Sequence, residues 1–203
     1  PFQVNDDVEA FTFLPDDSLL VVLGRNRNID GLGKVTPFDV LRLPVGANGS
    51  YAFGPVEWYL DGSEAGLSTG GERIDAIAID GNGRLLVSLK GTGRVPDGSG
   101  ATLVVRDEDL ITYRDSNNAW EVVCDGSQVP GLASENVIGL SVDAVTGTFF
   151  VRLGNGFNIA GVKGTARDVL SLSDCTSDAQ AQVVWNSRDD GFNKPYDALH
   201  FTP

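Results

Sequence analysis

The phrase WYLDGSEAGL at residues 58–67 returns, little altered, as VVCDGSQVPGL at 122–132. Superposing the two aspartates brings whole stretches into line, which is the signature of an internal repeat. Three units follow from the alignment, at approximately 5–73, 74–136 and 137–195. Residues 196–203 then repeat only the opening of a further unit. One repeat domain of 203 residues is therefore expected.

Each unit contains four short segments of alternating or continuous apolar text, rich in β-branched and aromatic residues, and these predict strands. The first is EAFTF (9–13), DAIAI (75–79) and IGLSV (138–142); the second is LLVVL (19–23), LLVSL (85–89) and FFVRL (149–153). A long glycine-rich loop separates these from the third, FDVLRL (38–43), EDLITY (108–113) and RDVLSL (167–172). The fourth is VEWYLD (56–61), WEVVCD (120–125) and QVVWN (182–186). No helix is predicted. The reading is an all-β chain: a β-propeller-like tandem of three four-stranded antiparallel units, plus one surplus C-terminal strand. The second residue of the opening strand is small every time, Ala10, Ala76, Gly139 and Ala198, as crowding around a shared axis requires.

Within this frame the DGS phrase closes a fourth strand and begins the link to the next unit. Asp61 and Asp125 are expected to accept backbone N–H groups, with Gly62 and Gly126 at positive φ. Leu67, Leu132 and Phe192 anchor the links in the apolar layer. The four-strand pattern, with DGS-x-x-GL, E-R-I-D-A and D-E-D-L-I, resembles propeller-type repeats of bacterial extracellular and surface proteins. The resemblance covers nearly the whole chain and implies architecture rather than activity.

Fewer than four units do not close a ring of this kind, and the terminal strand Tyr196, Asp197, Ala198, Leu199, His200 and Phe201 has no partner of its own. An unpaired strand invites pairing with another chain. The sequence thus fits a window from a longer array, a ring of two copies, or a filament in which the terminal strand enters the next subunit. Self-association is preferred, and the filament among its forms. With Pro first and no Met, the chain reads as a processed product or an excised fragment.

Twenty-eight acidic against 15 basic residues leave a net charge of −13, which disfavours nucleic acid and anionic membranes. No apolar run is long enough to span a bilayer, so no membrane insertion is expected. Gly and Pro content over short apolar runs suits an extracellular or cell-surface protein. Links and long loops fall on one face, which gathers Asp30, Asp61, Glu64, Glu72, Asp97, Asp107, Glu108, Asp109, Asp125, Asp168, Asp189 and Asp190. Of these, Asp61, Glu64, Asp107, Glu108, Asp109 and Asp125 are the candidate ligand or metal residues, with calcium the cation their chemistry suits. DGNGR (80–84) starts like a calcium loop but breaks at Arg84. A solvated acidic rim is the competing reading.

No enzyme is indicated. GLSTG (66–70) matches G-x-S-x-G, yet it lies in a link, and the single histidine, His200, sits in the surplus strand. Cys124 reads as a small buried residue, at the place held by Leu60 and Trp185. A disulfide to Cys175 suits an extracellular chain, whereas the strand path sets the two at opposite blade ends, about 17 Å apart. Asn48 opens a glycosylation sequon that is equally a tight turn. Trp58, Trp120 and Trp185 are expected to pack against the next unit rather than stack on glycans. The functional expectation is a structural repeat protein that self-assembles. The alternative is a binding module for a glycan, calcium or a surface protein through the acidic face.

Overall fold

The computed structural model describes residues 7–46, 55–186 and 189. The surplus strand (196–201), His200, Phe192, Asp190 and Asn48 lie outside the described residues. The described chain is all-β, with no helix beyond three-residue 3-10 turns, and three four-stranded antiparallel sheets carry it. Among the described residues no helix is long and apolar enough to cross a membrane.

The first sheet is built from β1 (Val8–Phe13), β2 (Leu19–Leu23), β5 (Val40–Leu43) and β6 (Glu57–Leu60). The second uses β7 (Ile74–Ile79), β8 (Leu85–Leu89), β11 (Leu110–Arg114) and β12 (Ala119–Cys124). The third uses β13 (Val137–Val142), β14 (Phe149–Leu153), β17 (Asp168–Leu172) and β18 (Ala181–Asn186). Each follows the same up-and-down order, so the repeat in the sequence is a repeat in space. Irregularities repeat too. Every first strand carries a bulge at its second residue, between Val8 and Ala10, Ile74 and Ala76, and Val137 and Gly139.

Between the second and third strands of each unit, where the text promised only loop, a two-stranded hairpin forms. These are β3 (Arg27–Ile29) with β4 (Gly33–Val35), β9 (Gly93–Pro96) with β10 (Thr102–Val105), and β15 (Phe157–Ile159) with β16 (Val162–Gly164). In the third, Ala160 and Gly161 both take positive φ (49° and 84°) between paired Ile159 and Val162. Two successive left-handed residues are what a two-residue hairpin turn demands.

The sheets pack face on face, with β7 in contact with both β1 and β13. Ala10, Ala76 and Gly139 are buried on these three strands. Leu20, Val22 and Val40 of the first sheet meet Ile77, Val87 and Ile111 of the second. Leu86 and Leu110 meet Leu140, Val151 and Leu170 of the third. β2 and β8 send successive side chains into different clusters, Val21 and Leu23 joining a third cluster with Val35, Leu41 and Leu43. Burial on both faces explains why the second strand of a unit reads as a nearly unbroken apolar run.

Trp120 overturns one expectation. It packs in the layer toward the preceding unit, and its indole N–H donates to the Ala65 carbonyl at 2.8 Å. The hairpins face the same way. Val95 and Val105 cover Ala65 and Leu67 of the first link, and Phe157 and Ile159 cover Val129 and Leu132 of the second. Leu67 and Leu132 are each 1% exposed, and burying a leucine to that degree stabilises by roughly 1.5–3 kcal/mol. The link leucines therefore anchor as the sequence predicts.

A disulfide joins Cys124 to Cys175, with Cα atoms 5.3 Å apart. The wide separation expected from the strand path is thus wrong. Sheets twist by about 20–25° per strand, so over four strands the outermost one swings far from the innermost. The end of β12 then leans across to the loop before β18, at the nominally opposite end of the next sheet.

Candidate functional site

Asp61, Asp109 and Asp125, which the sequence marks for chemistry, hold turns and links. Asp61 Oδ1 accepts from the Ser63 amide (3.0 Å), the Ser63 hydroxyl (2.7 Å) and the Glu64 amide (3.1 Å). Asp125 Oδ1 accepts from the Ser127 amide at 3.0 Å and hydroxyl at 2.5 Å, which lowers its pKa. Turn capping is therefore the role of both aspartates. Gly62 and Gly126 differ from expectation, because neither has positive φ. They are glycines because a Cβ would lie 2.0 Å from the Phe38 carbonyl oxygen or 2.3 Å from that of Glu108.

What brings the chain so close is a buried carboxylate the alignment underrated. Asp39, Asp109 and Asp168 occupy equivalent positions at the entry to the third strand and are 2%, 6% and 3% exposed. One oxygen of each accepts the amide three residues earlier, of Thr36 (2.7 Å), Arg106 (2.8 Å) or Thr165 (2.6 Å). The other oxygen reaches the link: Gly62 N at 2.9 Å, Gly126 N at 3.0 Å, and the Asn186 amide group in the third unit. Burial raises the pKa of Asp39 and Asp109. Asp39, Asp109 and Asp168 align in the sequence, directly after Phe38, Glu108 and Arg167. From the same turn, Pro37 and Asp107 carbonyls accept the Ile74 and Val137 amides that open the next sheet, at 2.9 and 3.0 Å.

Glu72 is likewise structural, although it lies on the acidic face. It is 3% exposed and accepts amides of Ser68 (2.7 Å), Thr69 (2.7 Å) and Arg94 (2.9 Å), tying link to hairpin. Ser68 thus sits in a carboxylate-pinned turn rather than a nucleophile elbow. The DGNGR turn is also filled from within: Asp80 accepts from the Asn82 and Arg84 amides, both at 2.9 Å, and from Arg84 Nε at 2.7 Å. Glu64 is exposed and Asp107 half-buried. Among the described residues no three His, Cys, Asp or Glu side chains converge as a metal site.

A polar cluster that the sequence reading missed lies where the opening strands meet. Glu9 and Asp75, the bulged residues of β1 and β7, share Lys90, whose Nζ is 3.6 and 3.7 Å from them. Asn136 donates to Asp75 at 2.9 Å. Burial raises the pKa of Glu9; Lys90 opposes this and Asp75 reinforces it. The signal was present in the sequence as Glu9 and Asp75 at matched positions, each beside the small residue.

Glu108 is the outlier. It is 2% exposed, its Oε1 has no hydrogen-bond partner, and it fills the position held by Phe38 in the first unit. Burial, with Asp109 and Asp107 beside it, pushes its pKa up to about 7. A carboxyl raised above its unfolded pKa favours the fold fully below about 4.5, and that support is lost as pH rises through about 7. Glu108→Phe and Glu108→Gln are therefore expected to stabilise the protein by about 1–3 kcal/mol at pH 8, because both remove a buried, unpaired negative charge. The gain should shrink at pH 5, and denaturant unfolding at the two pH values measures it. An equal effect at both would remove Glu108 as the titrating group.

No family model matches this sequence, and no curated protein matches it significantly.

Proposed function

We propose that this chain is a non-catalytic, extracellular repeat scaffold that associates with copies of itself through its terminal segment. The single observation that carries the reading is the joint described above. The same amide-to-carbonyl tie opens the second and the third sheet, from Ile74 to Pro37 and from Val137 to Asp107. Ala166 is the equivalent carbonyl of the third unit, and it accepts Arg152 Nε at 3.0 Å much as the Asp107 carbonyl accepts the Ser88 hydroxyl at 3.2 Å. Tyr196 aligns with Ile74 and Val137. The chain therefore carries the receiving turn and, in its sequence, a segment equivalent to those that such turns receive elsewhere.

Two features support the reading. The outer strands β6, β12 and β18 each carry a bulge in their pairing, and a bulged edge resists lateral strand addition. Association is thereby steered to the end of the tandem. The disulfide suits an oxidising compartment, which fits a surface or secreted location. A propeller-like disposition of the sheets, as in the bacterial surface repeats that the sequence resembles, belongs to the same proposal. It is supported by β7 contacting both of its fellow opening strands.

Light scattering after size-exclusion chromatography tests the proposal. The full chain should run at a multiple of its 21.5 kDa mass, and a chain ending at residue 195 should run as a monomer. Two identical monomer masses would overturn it.

A further inference from the structure

At the joint between the first and second sheets, on the side of the β7–β8 turn, a groove of about 410 Å³ is lined by residues from both units. Its aromatic members are Tyr59 of β6 and Tyr113 of β11. Tyr59 is the extra residue of the β6 bulge, opposite the step from Val40 to Leu41, and is 37% exposed. Bulges commonly re-aim a side chain in this way. Tyr113 is held from behind. Its ring lies 5.2 Å from that of Trp120, which is 2% exposed, and its hydroxyl donates to Asn118 Oδ1 at 2.6 Å.

The charged members are Arg84, Arg114 and Asp115. Both guanidinium groups are braced by Glu121, Arg114 at 2.7 Å and Arg84 at 3.6 Å, and Arg84 also by Asp80 at 2.7 Å. Each arginine has five N–H donors, so these ion pairs orient the groups without using all of them. Two cations set among Asp80, Asp115 and Glu121 leave no excess positive charge to attract phosphate. Asp80 and Glu121 are committed to these arginines, which leaves Asp115 as a single carboxylate, too few for a cation site. The groove offers aromatic surface, fixed donors and fixed acceptors, the recipe of a site for a neutral polar ring.

The third sheet supplies an internal comparison. The corresponding joint between the second and third sheets also has a groove, of about 380 Å³. Val123 stands there at the place of Tyr59, and in the third unit Leu172, Ser173 and Thr148 align with Tyr113, Arg114 and Arg84. That second groove is lined by Val123, Val142, Val145 and Phe149 together with Asp80 and Arg84, with no tyrosine among its lining residues. Tyr59, Tyr113 and Arg114 of the first groove therefore exceed what the fold asks for.

We propose that the groove between the first two sheets binds a neutral oligosaccharide, with one pyranose ring seated against Tyr59 and Tyr113 and its hydroxyls met by Arg84, Arg114 and Asp115. The site is independent of self-association. Its test is a calorimetric and NMR titration of the full chain with cellohexaose, maltohexaose, chitohexaose, xylohexaose and laminarihexaose. At least one should bind with Kd near or below about 1 mM, and Tyr59→Val and Tyr113→Leu should each weaken it by roughly tenfold. These variants introduce the residues that the other units use, so the fold should tolerate them, and unchanged melting temperatures would confirm it. Val104→Ser, on the exposed side of a hairpin, should bind as the parent does. The proposal falls if none of the five sugars binds at about 10 mM, if binding survives both tyrosine changes, or if a proline-rich decapeptide occupies the groove and no sugar does.

Discussion

Reduction of the Cys124–Cys175 bond, or replacement of both residues by alanine, is expected to lower stability by about 4 kcal/mol. The bond closes a sequence separation of 51 residues, and the chain-entropy cost removed from the unfolded state grows with the length of the closed loop. It also has a structural partner. Cys124 is 2% exposed within the layer between the second and third sheets, so the alanine pair loses packing as well as the cross-link. No corresponding bond joins the first sheet to the second, where Leu60 holds the position of Cys124. Denaturant unfolding with and without reductant measures the loss, and hydrogen exchange should show the third sheet losing protection ahead of the first. A midpoint unmoved by reduction would mean that the bond adds nothing to the native state.

Gly62→Ala and Gly126→Ala should each cost about 3 kcal/mol, the upper range for overpacking a tight site. The added Cβ would meet backbone, the Phe38 carbonyl at 2.0 Å or that of Glu108 at 2.3 Å, and no rotamer relieves a backbone collision. Moving the link away would also break the amide bond to Asp39 or Asp109. A buried carboxylate would then lose one of its donors. Gly70→Ala, in the same first link but with open space around its Cβ position, should change stability by less than about 0.5 kcal/mol. Thermal unfolding of the three variants separates the cases. If Gly62→Ala behaved like Gly70→Ala, the close approach would have no energetic weight.

Much of the fold could be read from residues alone, because the strands are long enough to show their period. LLVVL, LLVSL and FFVRL mark their strands to the residue. The hairpins could not be seen, because three- or four-residue strands such as Arg27–Ile29 contribute too few side chains to set a pattern. Only the turn of the third, Ala160-Gly161, was legible after the fact. The Cys124–Cys175 pair was legible as a possible disulfide, but its separation was overestimated because a strand path drawn flat ignores twist.

The site was harder to read for another reason. A carboxylate in sequence carries no mark of whether it faces water or a backbone amide. Asp61 and Asp125 could be assigned to turns because DGS is local chemistry. Asp39, Asp109 and Asp168 make their second contact more than 15 residues away, and nothing nearby announces it. The Tyr59 and Tyr113 groove was hidden likewise, since its two aromatic walls come from different units.

The carboxylate clamps bear on how such a protein can change in length. Each clamp lies within one module, and each described tie to the next sheet runs from the same turn, Pro37 to Ile74 and Asp107 to Val137, so a duplicated module would arrive with its own fastening. Lengthening the gene by whole modules, rather than by arbitrary insertions, is then the change this architecture tolerates best.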